Sequence, residues 1–345
     1  MTRLIGVALL AGALALAACG EKEEPAGEPG GRAQPLRLML DYYPNADHAG
    51  LYAAEETGAF ARAGLDLTIQ RPPDPAGVLR LLQAGKVDLA ISYEPDLLLA
   101  RDKGADLVAV GALVQEPLTS LMWLGKSRLR SVRDLAGKTV GTAGIPYQAA
   151  YLTTILRKAG VDPSSVRQPN VGFALDKAMI SGKVDATLGA FWNVEGVDLE
   201  RAGRDPRILR MEQLGVPDYQ ELIFVARRRD LQGEKANRIR RFMGAVARGH
   251  RVLREDPEVG LRGLMAAERG LDAREQRAKI RATLPVFFPA DRSKPFGWQD
   301  PAAWQRYSEW MAENDLLRRR PEGARALTNE FLPGEGLDPG RISQD

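Results

Sequence analysis

Short apolar runs alternate with helical stretches along most of this chain, and that alternation restricts the fold more than any other feature. Residues 36–40 read as a strand leading into the loop Asp41-Tyr42-Tyr43-Pro44-Asn45, and a helix follows over 48–63 with Gly64 as its stop. Strands are then expected at 65–70, 87–92 and 107–113, with helices at 75–85 and 96–103 between them. A second set opens near 131–135. It has a strand at 138–141, the loop Thr142-Ala143-Gly144-Ile145-Pro146, a helix over 147–159, another closing at 176–181, and a strand at 185–189. Residues 222–226 read as a strand that crosses back, and 234–317 as helical, with Trp298, Trp304, Tyr307 and Trp310 assigned to packing. Short apolar strands separated by helices imply parallel βαβ units, hence an α/β fold of mostly parallel sheets flanked by helices.

The length bears on how many such sheets there are. About 310 residues of folding chain exceed what one core usually supports, so two lobes are expected. Lobe one takes 36–120 plus 223–345 and lobe two takes 121–222. Two crossovers between lobes make a hinge. Ligands of open α/β sheets lie beyond the C-terminal strand ends, which here can face each other across a cleft.

The N-terminus carries a different signal. Arg3 precedes an uncharged apolar run over 4–17, which ends in Leu16-Ala17-Ala18-Cys19. This is the pattern of a secretory signal over 1–18, too short for a comfortable membrane span. Leu-Ala-Ala-Cys also resembles a bacterial lipobox, which implies cleavage before Cys19, lipid on that residue and a membrane tether. Cys19 is the only cysteine, so neither an intramolecular disulfide nor a cysteine metal site can form. Residues 19–35 are rich in Gly, Pro and Glu and read as a flexible tether. Lysine and arginine number 48 against 45 acidic residues, with the arginines scattered, which argues against a nucleic-acid surface.

The chemistry of the strand ends suggests a flat, weakly polar ligand. Tyr42, Tyr43, Tyr93 and Trp192 lie at or just past expected strand ends and offer aromatic faces. Asn45 and Asn193 each bring a donor and an acceptor, and Glu195 accepts from an exocyclic amine or, protonated, also donates. An aminopyrimidine presents such an edge, an amine beside a ring nitrogen. Asn45 is equally a turn residue after Pro44, and Glu195 could be a solvated helix residue. His48 reads as a cleft-facing polar group or a capping residue. Gly144 and the amides after it read as an anion cradle or a plain tight turn, and Tyr147, just beyond, joins the ligand set. Asp41, Glu94 and Glu195 could instead serve a polyamine. With two histidines and no cysteine in the body, neither a metal cluster nor a Ser-His-Asp set is apparent.

Several phrases together carry a family resemblance. Asp41-Tyr42-Tyr43-Pro44-Asn45-Ala46-Asp47-His48 resembles the first loop of the thiamine-pyrimidine binding family. Gly85-Lys86-Val87-Asp88, Gly182-Lys183-Val184-Asp185 and Phe191-Trp192-Asn193-Val194-Glu195 follow in order, so that the likeness covers nearly all of 36–230. The resemblance implies a two-lobed type II periplasmic-binding-protein fold. It also implies a monomeric, extracytoplasmic binding component that delivers ligand to the permease and ATPase of an ABC importer. The ligand it implies is a hydroxymethyl- or formylamino-pyrimidine precursor of thiamine. Relatives of the fold carry riboflavin, sulfonates, nitrate or polyamines, but a sulfonate or nitrate would want Arg or nest amides rather than Glu195. The fungal synthase of the family uses a lysine bearing pyridoxal phosphate, a histidine and a cysteine-rich motif. Those lysine and histidine positions fall on Ser92 and Asp96, so neither catalysis nor a cofactor is expected.

Overall fold

The computed structural model describes residues 32–334, so the signal segment, Cys19 and the tether up to Gly31 lie outside the described residues. The first sheet is built from β1 (Gln34–Met39), β2 (Leu65–Gln70), β3 (Leu89–Ser92) and β4 (Leu107–Val114). The second holds β5 (Thr119–Leu124), β6 (Val140–Gly141), β7 (Ala186–Phe191) and β8 (Pro206–Arg210), and β9 (Leu222–Arg227) returns to the first. The strand orders are β2-β1-β3-β9-β4 and β6-β7-β5-β8. In each sheet one strand runs against the rest. β9 is antiparallel to both β3 and β4, and β5 to both β7 and β8. These are the strands by which the chain enters each lobe, so the parallel character expected from the βαβ pattern holds for the others. The change of sheet falls between Val114 and Thr119 on the way out and between Arg210 and Leu222 on the way back.

Eleven α-helices lie among the described residues: α1 (Ala49–Glu56), α2 (Ala59–Arg62), α3 (Val78–Gln83), α4 (Glu94–Asp102), α5 (Pro146–Lys158), α6 (Leu175–Ile180), α7 (Glu195–Arg201), α8 (Gly233–Glu255), α9 (Pro257–Ala267), α10 (Ala273–Thr283) and α11 (Pro301–Glu313). The single helix expected over 48–63 is divided at Gly58, whose φ of 69° is a left-handed conformation that stops one helix and starts the next. The long helical tail is likewise divided, with irregular chain between α10 and α11. β5 and β8 were not expected from pattern. β5 is buried along its whole length, so it lacks the alternation that marks a half-exposed strand.

The two Gly-Lys-x-Asp phrases have one structural task. Asp88 accepts from the backbone N–H of Arg37 at 2.9 Å and from its guanidinium, and Asp185 accepts from the N–H of Thr139 at 2.9 Å. Each carboxylate therefore pins the approach to one strand to the backbone of its neighbour, within β1 at Arg37 and just before β6 at Thr139. The C-terminal helices pack on the first lobe, and Ala109 of β4 pairs with Leu327, which covers that sheet's edge. No described helix is long and apolar enough to cross a membrane.

Candidate functional site

The loop after β1 and the residue after β3 face the second sheet's loops across a cleft. Its lining is Tyr42, Asn45 and Tyr93 on one side and, on the other, Ala143, Ile145, Gln148, Leu175, Gly189, Phe191, Val194 and Glu195. All are at or beyond C-terminal strand ends or on the helices that follow, the geometry open α/β sheets use for ligands. The lining holds one carboxylate and neither Lys nor Arg.

The Asp41–His48 segment is held internally. Asn45 caps the turn that follows: its side-chain oxygen accepts from the Asp47 N–H at 2.7 Å, and its own N–H donates to His48 Nδ1 at 3.3 Å. With Nδ1 accepting, Nε2 carries the hydrogen and donates to Asp41 Oδ1 at 2.9 Å. Tyr93 donates its hydroxyl to Asp41 Oδ2 at 2.9 Å. Asp41 and His48 thus brace the loop, while Asn45 and Tyr93 reach the cleft. The Tyr42 hydroxyl is buried there without a partner, and burial raises its pKa. Its ring meets Phe173 of the second lobe edge-on at 4.6 Å, and Tyr43 lies on the outer side of the same Phe173 at 4.1 Å, 42% exposed.

Glu195 opens α7 and accepts from the Phe191 N–H at 2.8 Å. Burial pushes its carboxyl up to about 7 although that N–H works in the other direction. Gln148 accepts from the Ala143 N–H at 2.8 Å, and a Cβ on Gly189, at φ 115°, would lie 2.2 Å from the Gln148 amide nitrogen. Only glycine fits that point of the wall. About 20 Å³ of space remains in the cleft, room for roughly one water, so a ring enters only if the lobes part.

Several expected ligand residues are placed elsewhere. Trp192 donates its indole N–H to the Pro117 carbonyl at 3.0 Å and lies under the Arg210 guanidinium at 4.1 Å, outside the cleft. Successive side chains at a strand end point to opposite faces, so Phe191 is the aromatic that lines the cleft instead. Asn193 is fully buried and donates to Asp47 Oδ1 at 2.5 Å and Thr283 Oγ1 at 2.6 Å, which ties the lobes together. Glu94 accepts from the Gln220 N–H at 2.8 Å and lines a different cavity, so it does not join Asp41 and Glu195 in a polyamine site. The anion cradle at Gly144 is not formed either. The Gly144 N–H donates to Thr142 Oγ1 at 3.3 Å, the Ala143 N–H is taken by Gln148, and Pro146 at the start of α5 has no N–H. Tyr147 is buried behind the cleft, 5.4 Å from the Tyr93 ring, and donates to Glu221.

Pattern reading missed Gln148, Phe173 and Glu221. Glu221 sits in the returning connection and accepts from the N–H groups of Leu118 and Thr119 and the hydroxyls of Thr119, Tyr147 and Tyr219. A lone Glu before an apolar strand was its only sequence mark. Among the described residues no group of three or more His, Cys, Asp or Glu could hold a metal ion.

Known proteins agree with this arrangement at two levels. The described fold is similar to the alkanesulfonate-binding protein SsuA of Xanthomonas axonopodis pv. citri, with a TM-score of 0.66 and 22% identity over 87% of this chain and 99% of that one. That likeness shows the periplasmic-binding-protein fold, two lobes about a hinge. At closer range, the chain is 32% identical over 315 residues to the formylaminopyrimidine-binding protein of Halalkalibacterium halodurans, covering 91% of this chain and 94% of that protein. The 4-amino-5-hydroxymethyl-2-methylpyrimidine phosphate synthase of Legionella pneumophila is 26% identical over 86% of this chain and 92% of the enzyme. On that grading the chain stands with the binding proteins of the group rather than with its synthases. Residues 45–259 match the NMT1/THI5-like family, and the chain belongs to that family.

Proposed function

We propose that this protein is the extracytoplasmic, lipid-anchored binding component of an ABC importer and takes a thiamine pyrimidine precursor, of formylamino- or hydroxymethyl-pyrimidine type, in its inter-lobe cleft. The observation that carries the ligand assignment is Glu195, a buried carboxyl at about 7 in a cleft without a cation, across from Tyr42 and Asn45. A neutral carboxyl accepts from the exocyclic amine and donates its O–H to the adjacent ring nitrogen. Tyr42, Tyr93 and Phe191 supply aromatic walls. An anionic ligand such as a sulfonate would meet no positive side chain here. The formylaminopyrimidine-binding relative supports the same reading. The anchor is proposed from Leu16-Ala17-Ala18-Cys19.

Titration calorimetry on wild type and Glu195→Leu with formylaminopyrimidine, hydroxymethylpyrimidine and riboflavin tests this. Leucine keeps much of the bulk but removes both the O–H donor and the acceptor, so pyrimidine affinity should fall roughly ten- to hundredfold. Riboflavin, which lacks that amine, should be little affected by the change. Riboflavin binding with no pyrimidine heat in wild type would overturn the ligand, and an unaffected Glu195→Leu would overturn the site.

A further inference from the structure

A second cavity, of about 780 Å³, shares no lining residue with the cleft. It is framed by the two connections between sheets at Gln115–Pro117 and Asp218–Gln220, by Arg210 and Glu212 of the second lobe, and by the irregular segment before α11. Neighbouring residues are divided between the two spaces, with Tyr93 lining the cleft and Glu94 the second cavity. The floor is a polar set on aromatic ground. Gln220 donates its backbone N–H to Glu94 and its side-chain amide to Gln115 Oε1 at 2.9 Å, and the Trp304 indole donates to Gln220 at 3.0 Å.

Two polar atoms of that floor have no partner. Glu94, 1% exposed, leaves Oε1 unbonded, and Gln115 leaves Nε2 unbonded. A buried acceptor without a donor costs free energy that a ligand group could recover. The rim is acidic, with Glu116, Glu212, Asp218, Asp291 and Asp300 against Arg210 and Lys294, on a chain whose net charge is +3. Such a rim attracts cations. One is already present in the protein itself: the Lys294 ammonium sits 4.3 Å over the Trp298 ring, so this wall accepts a cation on its face.

We propose that this cavity is a second ligand site, for a small organic cation with an ammonium head for Glu94 and an apolar body against Trp298 and Trp304. Calorimetry with phenethylamine and spermidine as probes, and phenylacetate as an anion of similar size, tests it. At least one amine should bind wild type and phenylacetate should not. Glu94→Gln, which cannot ionise against an ammonium, should weaken the amine at least tenfold, on the order of the loss of a charged hydrogen bond. Trp298→Ala should weaken it as well, and Glu195→Gln, in the cleft, should leave it unchanged. Asp218→Asn on the exposed rim, expected to cost a few-fold, keeps the test decisive should Glu94→Gln fold poorly. No heat from either amine, equal binding of phenylacetate, or loss on Glu195→Gln with none on the crevice variants would overturn the proposal.

Discussion

Glu195 must be neutral to present both an O–H and an acceptor to an aminopyrimidine edge, and that sets the pH dependence of binding. Burial holds its carboxyl at about 7, so the free site carries the proton below that pH and loses it above. A complex that needs the proton binds independently of this group below about 7. Above it, affinity falls by up to about tenfold per pH unit, because binding must take the proton up. Calorimetry at pH 6 to 9 in two buffers of different ionisation heat should show both the fall and the proton uptake. A constant Kd over that range would show that binding is not linked to this proton, and an affinity that rises from pH 6 to 8 would mean the ionised carboxylate is the binding form. At the same scale, Phe191 rather than Trp192 faces the cleft. Phe191→Ala should therefore weaken pyrimidine binding more than Trp192→Ala, whose effect should appear in the melting temperature through lost packing on Pro117 and Arg210.

Among the elements, α1 and α8 cross closely. His250 of α8 is fully buried, donates from Nδ1 to the Val246 carbonyl at 2.9 Å and stacks on Phe296 at 4.1 Å. A Cβ on Gly50 of α1 would fall 2.2 Å from the imidazole, so Gly50→Ala should cost about 1–3 kcal/mol through overpacking and lower Tm. Burial also depresses the imidazole pKa to about 4. The unfolded chain takes that proton near 6.5 and the folded one only near 4, so stability is lost as pH falls through this window, by roughly 3 kcal/mol at its lower end. Tm of His250→Phe should vary less steeply with pH over the same window, and an unchanged slope would place the acid sensitivity on other groups.

For the whole molecule, two polar links are among the contacts that hold the lobes together. Asn193 bridges to Asp47 and Thr283, and Lys279 of α10 pairs with Asp198 of α7 at 2.7 Å. Both links join the lobes on either side of a cleft with space for about one water. Asn193→Ala with Lys279→Ala should shift the ligand-free protein toward the open form by removing one hydrogen-bonded and one charged link, each worth about 1–3 kcal/mol. Small-angle scattering should then report a larger radius of gyration than wild type, with ligand restoring compactness. Equal radii would show that closure is held elsewhere.

Local pattern alone settled much of this protein, because apolar alternation, turn residues and short motifs act within a few residues of chain. The βαβ order, the Asp41–His48 loop at a strand end and the placement of Glu195 just beyond β7 were all legible that way. The Gly-Lys-x-Asp phrases marked the fold alone, and only the structure shows their carboxylates bonded to the backbone of the neighbouring strand or the residue before it. Pattern did not reveal β5 or β8: one is buried throughout and the other is half-buried along most of its length, so neither alternates. It also could not separate Phe191 from Trp192 or Tyr93 from Glu94, adjacent residues that serve different cavities. Asn193 reads locally as a ligand group, and its bonds to Asp47 and Thr283 are hidden from pattern because those residues lie 146 and 90 positions away. Which buried polar group meets a ligand and which meets the opposite lobe is decided by how two sheets pack about a hinge, a long-range contact that no local spacing encodes.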